Sequence, residues 1–214
     1  MNQARSGDII LFHTNRFAAG FQRVLLSSDF DHVACVVRSD YAFDVIYLLE
    51  AVGTGVRLIK WDQIRKYIGR DDSKFFSSVS YRKVNMDRSR DFHDKFIEFA
   101  NQTIGHKYSL DVPKLGRQKS IGLKWKPEEE AAVALIEEAE KIGGNHQYEK
   151  LVRDDRTFFC SELVAKALKT LEIIENDDRS CTQFYPKHFS SNCCQNDFCL
   201  KLMPGVKIDK EKEI

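Results

Sequence analysis

The stretch Arg156-Thr157-Phe158-Phe159-Cys160-Ser161-Glu162-Leu163-Val164-Ala165-Lys166-Ala167-Leu168 decides how the rest of the chain is read. After Cys160, the apolar residues Leu163, Val164, Ala167, Leu168 and Leu171 recur at the three-and-four spacing of a helix with one buried face. Two aromatics precede the cysteine, so Cys160 falls at or just before the first helical turn. Backbone N–H groups there lack helical acceptors and the helix dipole favours negative charge, which predicts a depressed thiol pKa and a larger share of thiolate. Cys160 is thus a candidate nucleophile. At this point a small buried hydrophobe is an equally open reading of a free cysteine.

The region upstream separates the two. Asp31-His32-Val33-Ala34-Cys35-Val36-Val37-Arg38 has strand character, 39–44 has turn character, and Val45-Ile46-Tyr47-Leu48-Leu49-Glu50-Ala51 is a second strand. A hairpin centred near Tyr41 places His32 directly across from Glu50 on one face. Cysteine, histidine and an orienting carboxylate are the set used by thiol acyl-transfer enzymes, in which folding rather than sequence order brings the partners together.

The segments Ser6-Gly7-Asp8-Ile9-Ile10-Leu11-Phe12, Asp31-His32-Val33, Leu49-Glu50-Ala51, Ile104-Gly105-His106-Lys107-Tyr108 and Phe159-Cys160-Ser161-Glu162-Leu163-Val164 occur in an order that resembles the circularly permuted papain-like hydrolases. This is the NlpC-type superfamily, in particular its YiiX/YaeF-like branch, and the likeness covers most of residues 6–190. The resemblance implies an α+β fold in which an antiparallel sheet packs against helices and the histidine strand precedes the cysteine helix. It assigns Cys160 as nucleophile, His32 as base and Glu50 as the third, polar member. It also puts Tyr108 on the substrate side, with plain core packing as the alternative for that tyrosine.

Totals bound the rest. A chain of 214 residues with 43% hydrophobic and 30% charged residues suits a single domain, here 1–214 with a helical insertion at about 112–155. A net charge of +1 gives no global case for nucleic acid or an anionic membrane. The polar N-terminus lacks a signal-peptide core and no apolar run is long enough to span a bilayer, so the cytoplasm is the expected address. Six cysteines are few for this length, and reduced thiols are expected.

Along the chain, Phe17, Phe21, Val24 and Leu25 suggest a short helix at about 16–26, and His13 ends the first strand, either approaching the site or, the favoured reading, as a satisfied surface or core histidine. Gly53-Thr54-Gly55 turns into a strand at 56–59, 61–69 suggests a short helix capped by Gly69, and 75–84 forms another strand. Asp87 or Ser89 can cap a helix at 90–103 that buries Phe92, Phe96, Phe99 and Ala100 and turns His93 to solvent. His106-Lys107-Tyr108 follows in a loop. Within the insertion, Pro127 and Glu128 to Glu130 start a further helix, which is either a lid or channel wall over the site or a solvated excursion. The basic residues of 117–126 around Trp125 suit phosphates or lipid headgroups, or simply a solvated face. Cys181, His188, Cys193, Cys194 and Cys199 contain no Cys-x-x-Cys pair, so free thiols are expected and no metal or cofactor. Residues 197–202 suggest an edge strand, and the charged tail from Lys207 is expected to fray.

The function expected is hydrolysis of an amide or peptide bond through an acyl-enzyme on Cys160, on a small peptide or amide. The alternatives are a thioesterase, or a lipid acyl hydrolase or acyltransferase of the lecithin retinol acyltransferase type acting on an acyl lipid. An inactive papain-like binding scaffold is the reading from outside the enzymes.

Overall fold

The computed structural model describes residues 1, 3–15, 28–38, 45–69, 74–108, 157–193 and 199–214. The helix expected at 16–26, the 39–44 turn and the 112–155 insertion lie outside the described residues. In chain order the elements are β1 (Ile9–Thr14), β2 (His32–Arg38), β3 (Ile46–Val52), β4 (Gly55–Lys60), α1 (Trp61–Ile64), β5 (Phe76–Arg82) and β6 (Val84–Asn85). There follow α2 (Arg90–Thr103), β7 (Lys107–Tyr108), β8 (Thr157–Phe158), α3 (Cys160–Thr170), β9 (Lys207–Ile208) and β10 (Lys212–Glu213). Six strands form one antiparallel sheet in the order β10-β5-β1-β2-β3-β4. The fold is therefore α+β with an antiparallel sheet packed against helices, the class that the resemblance implies.

The sheet is buried on both faces. Ile9, Leu11, Val33, Cys35, Leu49 and Ala51 pack with Leu163, Val164, Ala167 and Leu168 of α3 and with Phe92, Phe96 and Phe99 of α2. Ile10, Phe12, Ala34, Val36 and Leu48 point the other way, onto Ile59, Trp61, Ile64 and Val79. Two covered faces explain why β1 reads Ile-Ile-Leu-Phe without alternation.

At the N-terminal side of the sheet lies a buried ion pair. Asp8 is fully buried and accepts from the backbone N–H groups of Arg5 and Val84, the Tyr81 hydroxyl, and Arg88 at 2.8 Å. Gly7 has φ +89, and a Cβ there would stand 3.0 Å from both Phe92 and Ile173, so the Gly-Asp pair is a close-packing requirement.

Several expectations are corrected. The β2–β3 register pairs Cys35 with Leu49 and Val36 with Leu48, centred one residue later than Tyr41, so His32 is not directly opposite Glu50. Helix α1 stops at Ile64 and passes through a 3₁₀ turn at Arg65–Tyr67; Gly69 is no helix cap, because Ile68 is extended and bridges to Phe76 while the Gly69 N–H donates to the Phe76 carbonyl. Ser89 is the cap of α2, accepting from the Phe92 N–H, and His93 is half-buried rather than turned fully to solvent. Lys107 and Tyr108 are not loop but pair in parallel with Thr157 and Phe158. In 199–202, the described part of the expected edge strand, Leu202 makes one isolated bridge to Ile174. The tail does not fray: β9 pairs with β6, β10 closes the β5 edge, and the Ile214 N–H donates to the Val79 carbonyl. An otherwise open strand edge supplies the backbone partners that hold it. Among the described residues, no helix is long and apolar enough to cross a membrane.

Arg88→Met leaves the Asp8 carboxylate buried without its cation, and is expected to cost about 3–5 kcal/mol of unfolding free energy. Adding Asp8→Asn in the same chain should recover part of the loss. Urea unfolding midpoints of the two variants against wild type check this.

Candidate active site

Cys160 is the first residue of α3, with extended Phe159 as the N-cap residue. The Phe159 N–H reaches the Glu162 carboxylate at 3.4 Å, and the Leu163 N–H donates back to the Phe159 carbonyl. A helix that opens at Cys160 leaves the first N–H groups without helical acceptors. Two contacts fix this end in place. The Ser161 hydroxyl donates to the Phe184 carbonyl at 2.6 Å, and β8 lies along β7. Phe184 and Phe189 are buried, and the Arg179 guanidinium stacks 4.3 Å over the Phe184 ring.

His32 opens β2. The preceding Asp31 pins the strand entry, since its carboxylate accepts from both the N–H and the hydroxyl of Thr14 at the end of β1. The imidazole packs against Phe12, ring centroids 5.2 Å apart. Continuing the β2–β3 register places Glu50 opposite Ala34, so His32 and Glu50 are diagonal neighbours on one face. The reach is still short: His32 Nε2 donates to Glu50 Oε2 at 2.7 Å. The Cys160 side chain lies within interaction range of the same imidazole, whose Nε2 is already committed to Glu50. The structure therefore brings together all three side chains singled out in the sequence, with Cys160 6%, His32 15% and Glu50 2% exposed.

Electrostatics follow from this order. Burial raises the Glu50 carboxyl, but the Arg57 charge and the His32 hydrogen bond outweigh it and hold the group down at about 2. Burial likewise lowers the His32 imidazole, but its hydrogen bond to Cys160 and the charge there, with Glu50 behind, push it up to about 10. An anionic carboxylate, an imidazole that favours its proton and a thiol stand in line. Burial, with Asp8 nearby, pushes the buried Cys35 thiol far up.

One member was missed by the sequence reading. Arg57 stands directly opposite Glu50 in the β3–β4 pairing and donates to Oε1 from Nε at 3.0 Å and Nη2 at 2.8 Å. The signal was available, because the tight Gly53-Thr54 turn fixes that register. Tyr108 has its backbone beside Phe158, two residues before Cys160, and its side chain lies outside the described residues. His13 lies in the sheet opposite Ser78. His106 is a buried support: Nε2 meets the Gln102 carbonyl at 2.8 Å and the ring stands edge-on to Phe158. It also lines a cavity of about 270 Å³ with Phe99 and Phe158; none of Cys160, His32 and Glu50 borders that cavity.

No family model matches the chain, and no curated protein matches it. A solved structure does: the metalloprotein YiiX from Escherichia coli O157:H7, assigned to DUF1105, superposes with a TM-score of 0.52 at 15% identity, covering 98% of each chain. This likeness is one of fold. The donor set at Cys160, His32 and Glu50 does not fit a resident dication. His32 Nε2 is committed to Glu50, and the second Glu50 oxygen carries the Arg57 guanidinium, a fixed positive charge. Among the described residues no three His, Cys, Asp or Glu side chains are placed to share a metal ion.

Proposed function

We propose that the chain is a thiol hydrolase of the permuted papain-like type that cleaves an amide or peptide bond through an acyl-enzyme on Cys160. One observation carries the reading: a single imidazole held between a buried carboxylate at 2.7 Å and a thiol at the first position of a helix. The YiiX likeness supports the fold on which such a site would stand.

In this mechanism the Cys160 thiolate, paired with imidazolium His32, attacks the substrate carbonyl carbon. The carbonyl electrons move onto oxygen, and backbone N–H groups at the start of α3, that of Cys160 among them, stabilise the oxyanion. His32 passes its proton to the departing amine as the C–N bond breaks, leaving a thioester. Neutral His32 then takes a proton from water as the water oxygen attacks that thioester. The carboxylic acid departs, and the thiolate and imidazolium are restored. Glu50 orients the ring and balances its charge at both stages. The same steps act on an ester or thioester, and an alcohol or amine in place of water makes the reaction a transfer.

A screen of fluorogenic peptide amides, esters and thioesters tests the assignment. On the best substrate, Cys160→Ala and His32→Ala should each reduce turnover by roughly 10³-fold or more, and Glu50→Gln by about 10- to 100-fold, with unchanged circular dichroism. Undiminished turnover by Cys160→Ala would refute the mechanism. EDTA should leave turnover intact, because no step passes through a metal.

The pH dependence of stability has a defined shape. Glu50, lowered from 4.5 to about 2, contributes above pH 4.5 and loses that contribution as pH falls towards 2. His32, raised from 6.5 to about 10, contributes fully below pH 6.5 and loses that contribution as pH rises towards 10. The stability gap between wild type and Glu50→Gln should therefore plateau near pH 4.5–6.5 and narrow on both sides. Urea titrations across that range measure it.

A further inference from the structure

We infer that Arg57 is a positioning residue for Cys160, acting wholly through Glu50, so that the working unit is Arg57–Glu50–His32–Cys160. This deepens the thiol-hydrolase reading and rests on it.

The guanidinium places two donors on one carboxylate oxygen, Nε at 3.0 Å and Nη2 at 2.8 Å on Oε1. The other oxygen, Oε2, is left to His32 at 2.7 Å. The division is geometrically enforced. Glu50 and Arg57 are opposite one another in a hairpin that turns over two residues, with Val52 paired to Gly55, and a slip of one residue would send Arg57 to the other face. With Glu50 only 2% exposed, solvent does little to keep its charge.

Without Arg57, burial favours the protonated carboxyl. A neutral Glu50 no longer balances an imidazolium, and His32 in turn no longer holds Cys160 as a thiolate near neutral pH. Arg57 thus sets the pH range in which the sulfur is nucleophilic. A role in binding substrate would bypass Glu50, and a double-variant cycle tells the two apart.

The test uses iodoacetamide on the whole protein, with the rate at each cysteine resolved by peptide mass spectrometry from about pH 4 to 10. This readout needs no knowledge of the substrate. Wild type should alkylate at Cys160 on the acid side of neutrality, well below the pH at which Cys35 or Cys181 reacts. Arg57→Met should slow Cys160 by about tenfold or more near pH 5 and move its profile to the alkaline side. Arg57→Lys, which keeps the charge but loses the two-donor fork, should fall between and serves where the methionine variant unfolds. Glu50→Gln/Arg57→Met should be no slower than Glu50→Gln alone. The inference is overturned if the profile of folded Arg57→Met or Arg57→Lys overlays wild type, or if the double variant loses the product of the two single effects. Wild-type Cys160 that alkylates only on the alkaline side would instead overturn the hydrolase reading, and the inference with it.

Discussion

A carboxylate that is 2% exposed stays charged only where its oxygens are met by donors, and the arrangement of this sheet follows that constraint at Glu50. Oε1 receives Arg57 from the strand on one side, and Oε2 receives His32 from the strand on the other. Both neighbours must therefore be antiparallel strands of fixed register, which the order β2-β3-β4 provides. The β3–β4 register is local, set by a two-residue turn. The β2–β3 register is held elsewhere, by β1 along the far side of β2 and by Asp31 tying the start of β2 to Thr14.

A second buried carboxylate, Asp8, is held by a different set of donors. Its oxygens take two backbone N–H groups, a phenol and a guanidinium. That arrangement joins the first strand to β6 and the start of α2. In Glu50 one of the donors is instead an imidazole, which can give up its proton. In the proposed mechanism, that titratable donor makes the carboxylate the support of a proton-transferring group.

What the sequence made legible is the periodic part. Leu163 to Leu171 sits in the core on the predicted helical face, and Phe92, Phe96 and Phe99 do the same on α2. The His32–Glu50 contact survived an error in register because side chains in a strand alternate with period two. A slip of two residues keeps the face and turns a direct pair into a diagonal one, whereas a slip of one would have lost it. Arg57 was passed over because it was read only as part of the strand at 56–59, although the Gly53-Thr54 turn already placed it across from Glu50. The tail was misread for a different reason. Lys207 to Glu213 carries a charged composition, but its pairing depends on an edge that β5 exposes only once the sheet has formed.

Among the described residues two cysteines are buried, in different electrostatic surroundings. Cys35 is fully buried in the middle of β2, where burial, with Asp8 nearby, disfavours the thiolate and pushes the thiol far up. Cys160 is nearly as buried at 6%, yet it faces an imidazole that has a carboxylate behind it, with a guanidinium behind that. Glu50 presents its negative charge to both the imidazole and the guanidinium, so removing these groups from water strengthens their pairing. A buried sulfur is inert when it meets apolar side chains and another anion. In the proposed mechanism Cys160 becomes a nucleophile because the nearest titratable neighbour, His32, is held by Glu50, whose own charge is met by Arg57 two strands away from His32.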